Sequence, residues 1–171
     1  KCEECGGSGK VKKHKSIEVK IPAGVEHGTR LRVEGEGEAG ERGAPAGDLY
    51  VVIGVKPHKY FKRQGNDLRL DIPISFTQAA LGDKINVPTI ESKAKLTIPS
   101  GTQTGTTFRL KNQGLPDLRG YSKGDLLVSV EVEVPKKLNK KQKELLSEFA
   151  QESGNDATPH KSFFKKLKDM L

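Results

Sequence analysis

The feature that most constrains this chain is that it matches itself: displaced by about 77 residues, it aligns with its own second half without a gap. Ile21, Pro22, Gly24, Gly28, Thr29, Arg32 and Gly37 return as Ile98, Pro99, Gly101, Gly105, Thr106, Arg109 and Gly114. Arg42, Gly43, Gly47, Asp48, Leu49, Val51 and Val55 return as Arg119, Gly120, Gly124, Asp125, Leu126, Val128 and Val132. A chain written twice from one unit folds as two like bodies, and 171 residues with 33% hydrophobic content support two small cores.

Each unit has the period of β structure. Ile17, Val19 and Ile21 alternate with Glu18 and Lys20, and Leu31 and Val33 alternate with Arg30, Arg32 and Glu34. Leu68, Leu70, Ile72 and Ile74 repeat the pattern. The runs Pro22 to Gly28 and Pro99 to Gly105 read as turns. Glycine-rich loops, Gly35 to Gly47 and Asn112 to Gly124, precede longer strands at Asp48 to Val55 and Asp125 to Val134. A helical turn is expected at Thr77 to Leu81, ahead of a strand at Lys84 to Val87. The units are unequally complete: Asn66 to Ser92 supply a strand, a helical turn and a second strand ahead of the second repeat, whereas a different motif stands ahead of the first. The first unit is therefore expected to lack its leading strands and to leave a sheet edge open to strand exchange or dimerisation.

After Pro135 the period changes. Asn139 and Gln142 are spaced as a capping box, and Leu145, Leu146 and Phe149 mark one face of a helix expected to end at Gly154. Phe163, Phe164, Leu167, Met170 and Leu171 fall at helical spacing with lysines opposite. An isolated helix so short needs a partner, either its own domain or a second chain.

The net charge of +8 raises nucleic acid as a partner. The basic residues are dispersed, however, and the runs Lys10 to Lys15 and Lys136 to Lys143 carry no aromatic residue to stack on a base, so a solvated basic face is the better reading. No apolar run approaches the roughly 18 residues of a membrane span, and the chain begins inside a motif, as a fragment would. That motif, Cys2-Glu3-Glu4-Cys5-Gly6-Gly7-Ser8-Gly9, is C-x-x-C-x-G-x-G. Two thiolates at this spacing supply half of a tetrahedral zinc site; a free dithiol is the other reading, and a reducing compartment suits both. Asp48 and Asp125 recur within Gly-Asp-Leu, which fits a strand-start role in both repeats better than an acid/base pair. His27, His58 and His160 sit in no nucleophile pattern, so the chain does not read as an enzyme.

Taken together, the C-x-x-C-x-G-x-G element, the doubled I-P-x-G-x-x-x-G-T-x-x-R unit with G-D-L-x-V, and the stretch Pro57 to Leu68 resemble the C-terminal half of DnaJ, the zinc-containing class of J-domain co-chaperone. Gly35 to Leu49 and Pro73 to Pro88 resemble bacterial members. The resemblance implies a mainly β fold: two tandem β-sandwich domains of the DnaJ C-terminal type, the first incomplete, followed by a C-terminal helix or helices. It implies a zinc-finger remnant at 1–15, a first substrate-binding domain at 16–59, a second at 60–136 and a helical dimerisation segment at 137–171. Cys2 and Cys5 would be zinc ligands of the full-length protein.

The resemblance further implies a cytoplasmic co-chaperone that binds unfolded client polypeptides and delivers them to a DnaK-type ATPase. The J domain required for that delivery is missing from this sequence. Ile17 and Val51 would lie in the client pocket, and Leu145, Leu146, Phe149, Phe163, Phe164 and Leu167 would carry the homodimer contact. A scaffold module that dimerises without holding clients is the competing expectation.

Overall fold

Alternation in the second repeat builds a two-layer sandwich. In the computed structural model, which describes residues 3, 5–6, 11, 14–41, 44–118, 120–153 and 168, strands β3 (Phe61–Gln64) and β4 (Asp67–Ser75) form an antiparallel hairpin. Leu68, Leu70 and Ile74 of β4 point inward, while Arg69 and Asp71 point out. Helix α1 (Phe76–Leu81) follows at once, because Ser75 and Gln78 close a capping box on each other's backbone amides. Strands β5 (Asp83–Pro88) and β6 (Lys93–Ile98) pair antiparallel as a separate two-stranded sheet, and β7 (Thr107–Leu110) pairs with β8 (Leu126–Glu133). The larger sheet runs β3-β4-β8-β7. Between the layers lie Leu68, Leu70, Ile74, Ala79, Val87, Leu96, Ile98, Leu126, Val128 and Val130, with Phe61 and Phe108 packed at the margin.

The first repeat copies the β7–β8 half of this plan. Strands β1 (Arg30–Val33) and β2 (Leu49–Val52) pair with Leu31 opposite Val51. The likeness extends to single hydrogen bonds. Gly28 N–H donates to Ile53 O at 2.8 Å and Gly105 N–H to Val130 O at 2.8 Å, while Gly37 and Gly114 N–H reach Gly47 and Gly124 O, both at 2.8 Å. Gly35 takes a φ of 68° and Asn112, at the same place in its repeat, a φ of 57°. Asn is among the few side chains that tolerate this left-handed conformation.

Two sequence expectations change here. The segment through Ile17, Val19 and Ile21 forms no hydrogen-bonded strand, although Ile17 and Val19 remain half-buried and their neighbours exposed. Its counterpart is β6, which exists as a strand because β5 lies beside it. In the sequence the cysteine motif stands where β5 would, and among the described residues the alternation meets no partner strand. Strand β2 also stops at Val52, short of the expected Val55. The expected helical turn and following strand match α1 and β5 closely.

By internal packing the chain divides into two units, Lys1–Val132 and Glu133–Leu171. The second contains helix α2 (Lys140–Glu152), opened by the expected capping box of Asn139 and Gln142 and closed at Ser153. Leu145, Leu146 and Phe149 are exposed along it. Among the described residues no helix is long and apolar enough to cross a membrane.

Among the described residues one side chain, that of Arg63, hydrogen-bonds from the second repeat to the first. Arg63 of β3 donates from Nη1 to Val25 O at 2.6 Å, from Nη2 to Gly24 O at 2.8 Å, and from Nε to Gly65 O at 2.8 Å. The turn at 22–28 approaches so closely that a Cβ on Gly24 would collide with the Pro116 carbonyl oxygen. Hydrogen bonds from a charged donor contribute about 1.5–3 kcal/mol each. Arg63→Ala is therefore expected to cost about 2 kcal/mol or more and to split urea unfolding into two transitions, one per repeat. A single transition of unchanged midpoint, followed by circular dichroism, would contradict this role.

Candidate functional site

Equivalent positions of the two repeats have opposite environments. Ile98 of β6 is 1% exposed, whereas its counterpart Ile21 is 57% exposed. Ser129 of β8 is 9% exposed and its counterpart Val52 is 62% exposed. Val128 is fully buried, while Val51 is half-buried beside Leu31. The cause is topological. In the second repeat β8 is flanked by β4 on one side and β7 on the other. In the first, β1 and β2 form a sheet of two strands among the described residues, so β2 has a free edge. A free edge presents unpaired N–H and C=O groups to any extended chain. Tyr50 and Val52 stand exposed on one face of β2; Leu49 and Val51 are half-buried on the other.

A repeated clamp holds this edge in place. Asp48, just ahead of β2, accepts the Gly35 N–H at 3.0 Å on Oδ1 and the Arg32 Nε at 2.7 Å on Oδ2. Asp125, just ahead of β8, accepts the Asn112 N–H at 2.8 Å and pairs with Arg109 Nε in the same way. Asp125 also donates its own N–H to Asp67 Oδ1 at 2.7 Å. The Asn112 amide, and after it the Arg109 guanidinium, hold the Asp125 carboxyl below the usual carboxylate range against the opposing effect of desolvation. These aspartates join each glycine-rich loop to its strand pair, in the strand-start role expected from their recurrence.

The expected site residues are distributed as follows. Val51 lies on β2, and Ile17 lies on the extended segment that forms no strand. Leu145, Leu146 and Phe149 share α2. Cys2, Phe163, Phe164 and Leu167 lie outside the described residues. Cys5 is half-buried in a turn next to Gly6, whose φ is 59°. Among the described residues no group of three or more His, Cys, Asp or Glu side chains is placed to hold a metal. A structural zinc requires four donors, and the two thiolates of this motif do not complete a site by themselves. Sequence reasoning missed Ile21, Tyr50 and Val52. The signal was present in the repeat: Ile21 aligns with a strand residue whose covering strands have no equivalent in the first unit.

Comparison with known proteins agrees with this architecture. The family described as DnaJ C terminal domain matches residues 5–135, and that described as Chaperone protein DnaJ C-terminal region matches residues 141–171. The fold and the doubled unit thus define a mainly β chain built from one unit used twice. The chain belongs to the DnaJ C-terminal domain family. It is similar to the Chaperone protein DnaJ of Acetivibrio thermocellus, with 54% identity over 99% of this chain and 44% of the relative. It is also similar to those of Halalkalibacterium halodurans, 54% identical over 98% of this chain and 46% of the relative, and Methanothermobacter thermautotrophicus, 55% identical over 99% and 45%. The chain spans less than half the length of these curated relatives.

The Asp125 clamp has a pH signature. Its folded-state pKa lies below the ordinary value of 3.8, so its stabilisation is complete above that value and is lost as the pH falls through the lowered one. Asp125→Asn is expected to be less stable than the parent at neutral pH, with the difference shrinking on acidification below the ordinary carboxylate value. Urea unfolding at neutral, mildly acidic and strongly acidic pH measures this; a difference independent of pH would refute it.

Proposed function

We propose that this chain is the client-holding part of a DnaJ-type co-chaperone, and that β2 of the first repeat receives an extended segment of unfolded polypeptide. The observation that carries the reading is the inverted burial of equivalent residues: positions that the second repeat covers with its own strands stand open in the first as Ile21 and Val52. An extended peptide added along β2 supplies the hydrogen-bond partners that β4 gives to β8, and its alternate side chains fall against Val51 and Ile17. Backbone pairing is indifferent to sequence, as suits a protein that holds many clients. Such binding needs no catalytic group, and the recurring aspartates serve as clamps rather than as an acid/base pair.

The same reading covers the rest of the chain. Leu145, Leu146 and Phe149 on α2, with Phe163, Phe164 and Leu167 beyond it, form the contact of a homodimer. Cys2 and Cys5 contribute half of a zinc site in the longer protein. Delivery of the client to a DnaK-type ATPase in the cytoplasm depends on a J domain outside this sequence. The proposed domain limits are 1–15, 16–59, 60–136 and 137–171.

Burying one Leu-sized side chain stabilises a complex by about 1.5–3 kcal/mol, so a single site binds weakly and two linked sites bind by avidity. Titration of a labelled, leucine-containing extended peptide with the chain is expected to show saturable anisotropy. The binding should weaken at least about tenfold in Val51→Asp or Ile17→Asp, since a buried unpaired carboxylate costs more than the roughly 1.4 kcal/mol that corresponds to that factor. Circular dichroism checks that the variants fold. Binding unchanged in both variants would remove the client from this edge. Self-association without peptide binding would favour the scaffold reading.

A further inference from the structure

The linker at 54–60, which joins the two repeats, is held at both ends by imidazole nitrogens. At its start the Val55 N–H donates to His27 Nδ1 at 3.1 Å. At its end the N–H groups of Tyr60 and Phe61 both donate to His58 Nδ1 at 3.2 Å, and the His58 ring lies 5.1 Å from that of Phe61. Nδ1 accepts these bonds only while its lone pair is free; in the imidazolium both nitrogens are donors. The bonds therefore belong to the neutral rings.

The second repeat makes the same tie without an imidazole. Thr104 stands at the place of His27, and its Oγ1 accepts the Val132 N–H at 3.2 Å. A hydroxyl does not titrate in the physiological range, whereas imidazole ordinarily changes charge between about pH 5 and 8. One backbone tie is thus built twice, and the titrating copy is the one that faces the linker. The turn carrying His27 is the turn whose Gly24 and Val25 carbonyls Arg63 holds.

We propose that this junction is a pH-sensitive hinge: protonation of His27 and His58 releases the linker amides, so that the repeats are joined by a loosened linker and by Arg63. The surrounding elements carry several charged groups. Glu26 adjoins His27 in the turn and lies 3.8 Å from Arg63, Lys56 and Lys59 belong to the linker, and Arg30 is on β1. Lys59 lies over the Tyr60 ring, and Lys62 of β3 is paired with Asp71 at 2.9 Å. Because the bonds need neutral rings, they are intact at the upper end of the imidazole range and are lost as the pH falls through it.

Nuclear magnetic resonance of the whole chain tests this between about pH 8 and pH 5. The protection of Val55, Tyr60 and Phe61 amides against exchange, corrected for the intrinsic rate, should fall about two- to tenfold in step with the imidazole nitrogen shifts, the loss expected for one hydrogen bond. Val132 should keep its protection. Residual dipolar couplings of β2 and β8 should fit one common alignment at high pH and two at low pH. His27→Thr with His58→Asn supplies non-titrating acceptors and should hold protection and common alignment throughout. Linker protection that ignores ring titration, a common alignment retained after the bonds are lost, or equal loss in the double variant would each overturn the hinge. The comparison of Val55 with Val132 inside one wild-type molecule decides the matter even where the variant does not fold.

Discussion

Each repeat depends on a single aspartate. Alongside the backbone bonds between Gly37 and Gly47 and between Gly114 and Gly124, Asp48 and Asp125 set where each glycine-rich loop ends and the next strand begins. The carboxylate takes one loop amide and one strand arginine, joining the two ends of the loop. That bond set determines the register of Leu31 against Val51 and of Phe108 against Val128. A shift of one residue would exchange the inner and outer faces of each strand. The inner face of β8 fills the core, and the inner face of β2 lines the proposed client edge. Core and site thus rest on the same local chemistry.

What separates the repeats is what lies beside that clamped pair. In the second, β4 and the β5–β6 sheet cover β8, and Leu126, Val128 and Val130 are sealed. In the first, Leu49 and Val51 are only half-buried, and of the three equivalents Ile53 alone is covered. One unit therefore serves as a stable body, while its copy presents surface that the fold leaves unsatisfied. Apolar exposure of this kind is a liability in an isolated protein and an asset in one that must hold unfolded chains.

Much of this was legible in the sequence because repeats and caps are local or self-comparing signals. The two units, the capping boxes of α2, the helical turn before β5 and the strand-start role of the aspartates all appear in residue spacing alone. The expected strand through Ile17 did not form, since alternation records which face is apolar and does not record whether a partner strand is present. Ile21 was missed for the same reason: its exposure comes from the absence of a neighbour. Arg63 left no pattern at all. It contacts carbonyl groups about forty residues away, and carbonyls are identical whatever the residue.

The weakness of a single edge makes the connection between repeats matter. A segment held by one apolar side chain and a few backbone bonds dissociates readily, so useful retention requires a second point of attachment at a suitable distance. In the proposed dimer that distance is set by the pairing of two chains and by how firmly each junction orients its first repeat. A rigid junction preorganises the surfaces and lowers the entropy lost on binding. A loose one lets the same surfaces follow clients of different length. Arg63 and the proposed His27 switch both act on the 22–28 turn, where one connection is permanently charged and the other depends on a proton.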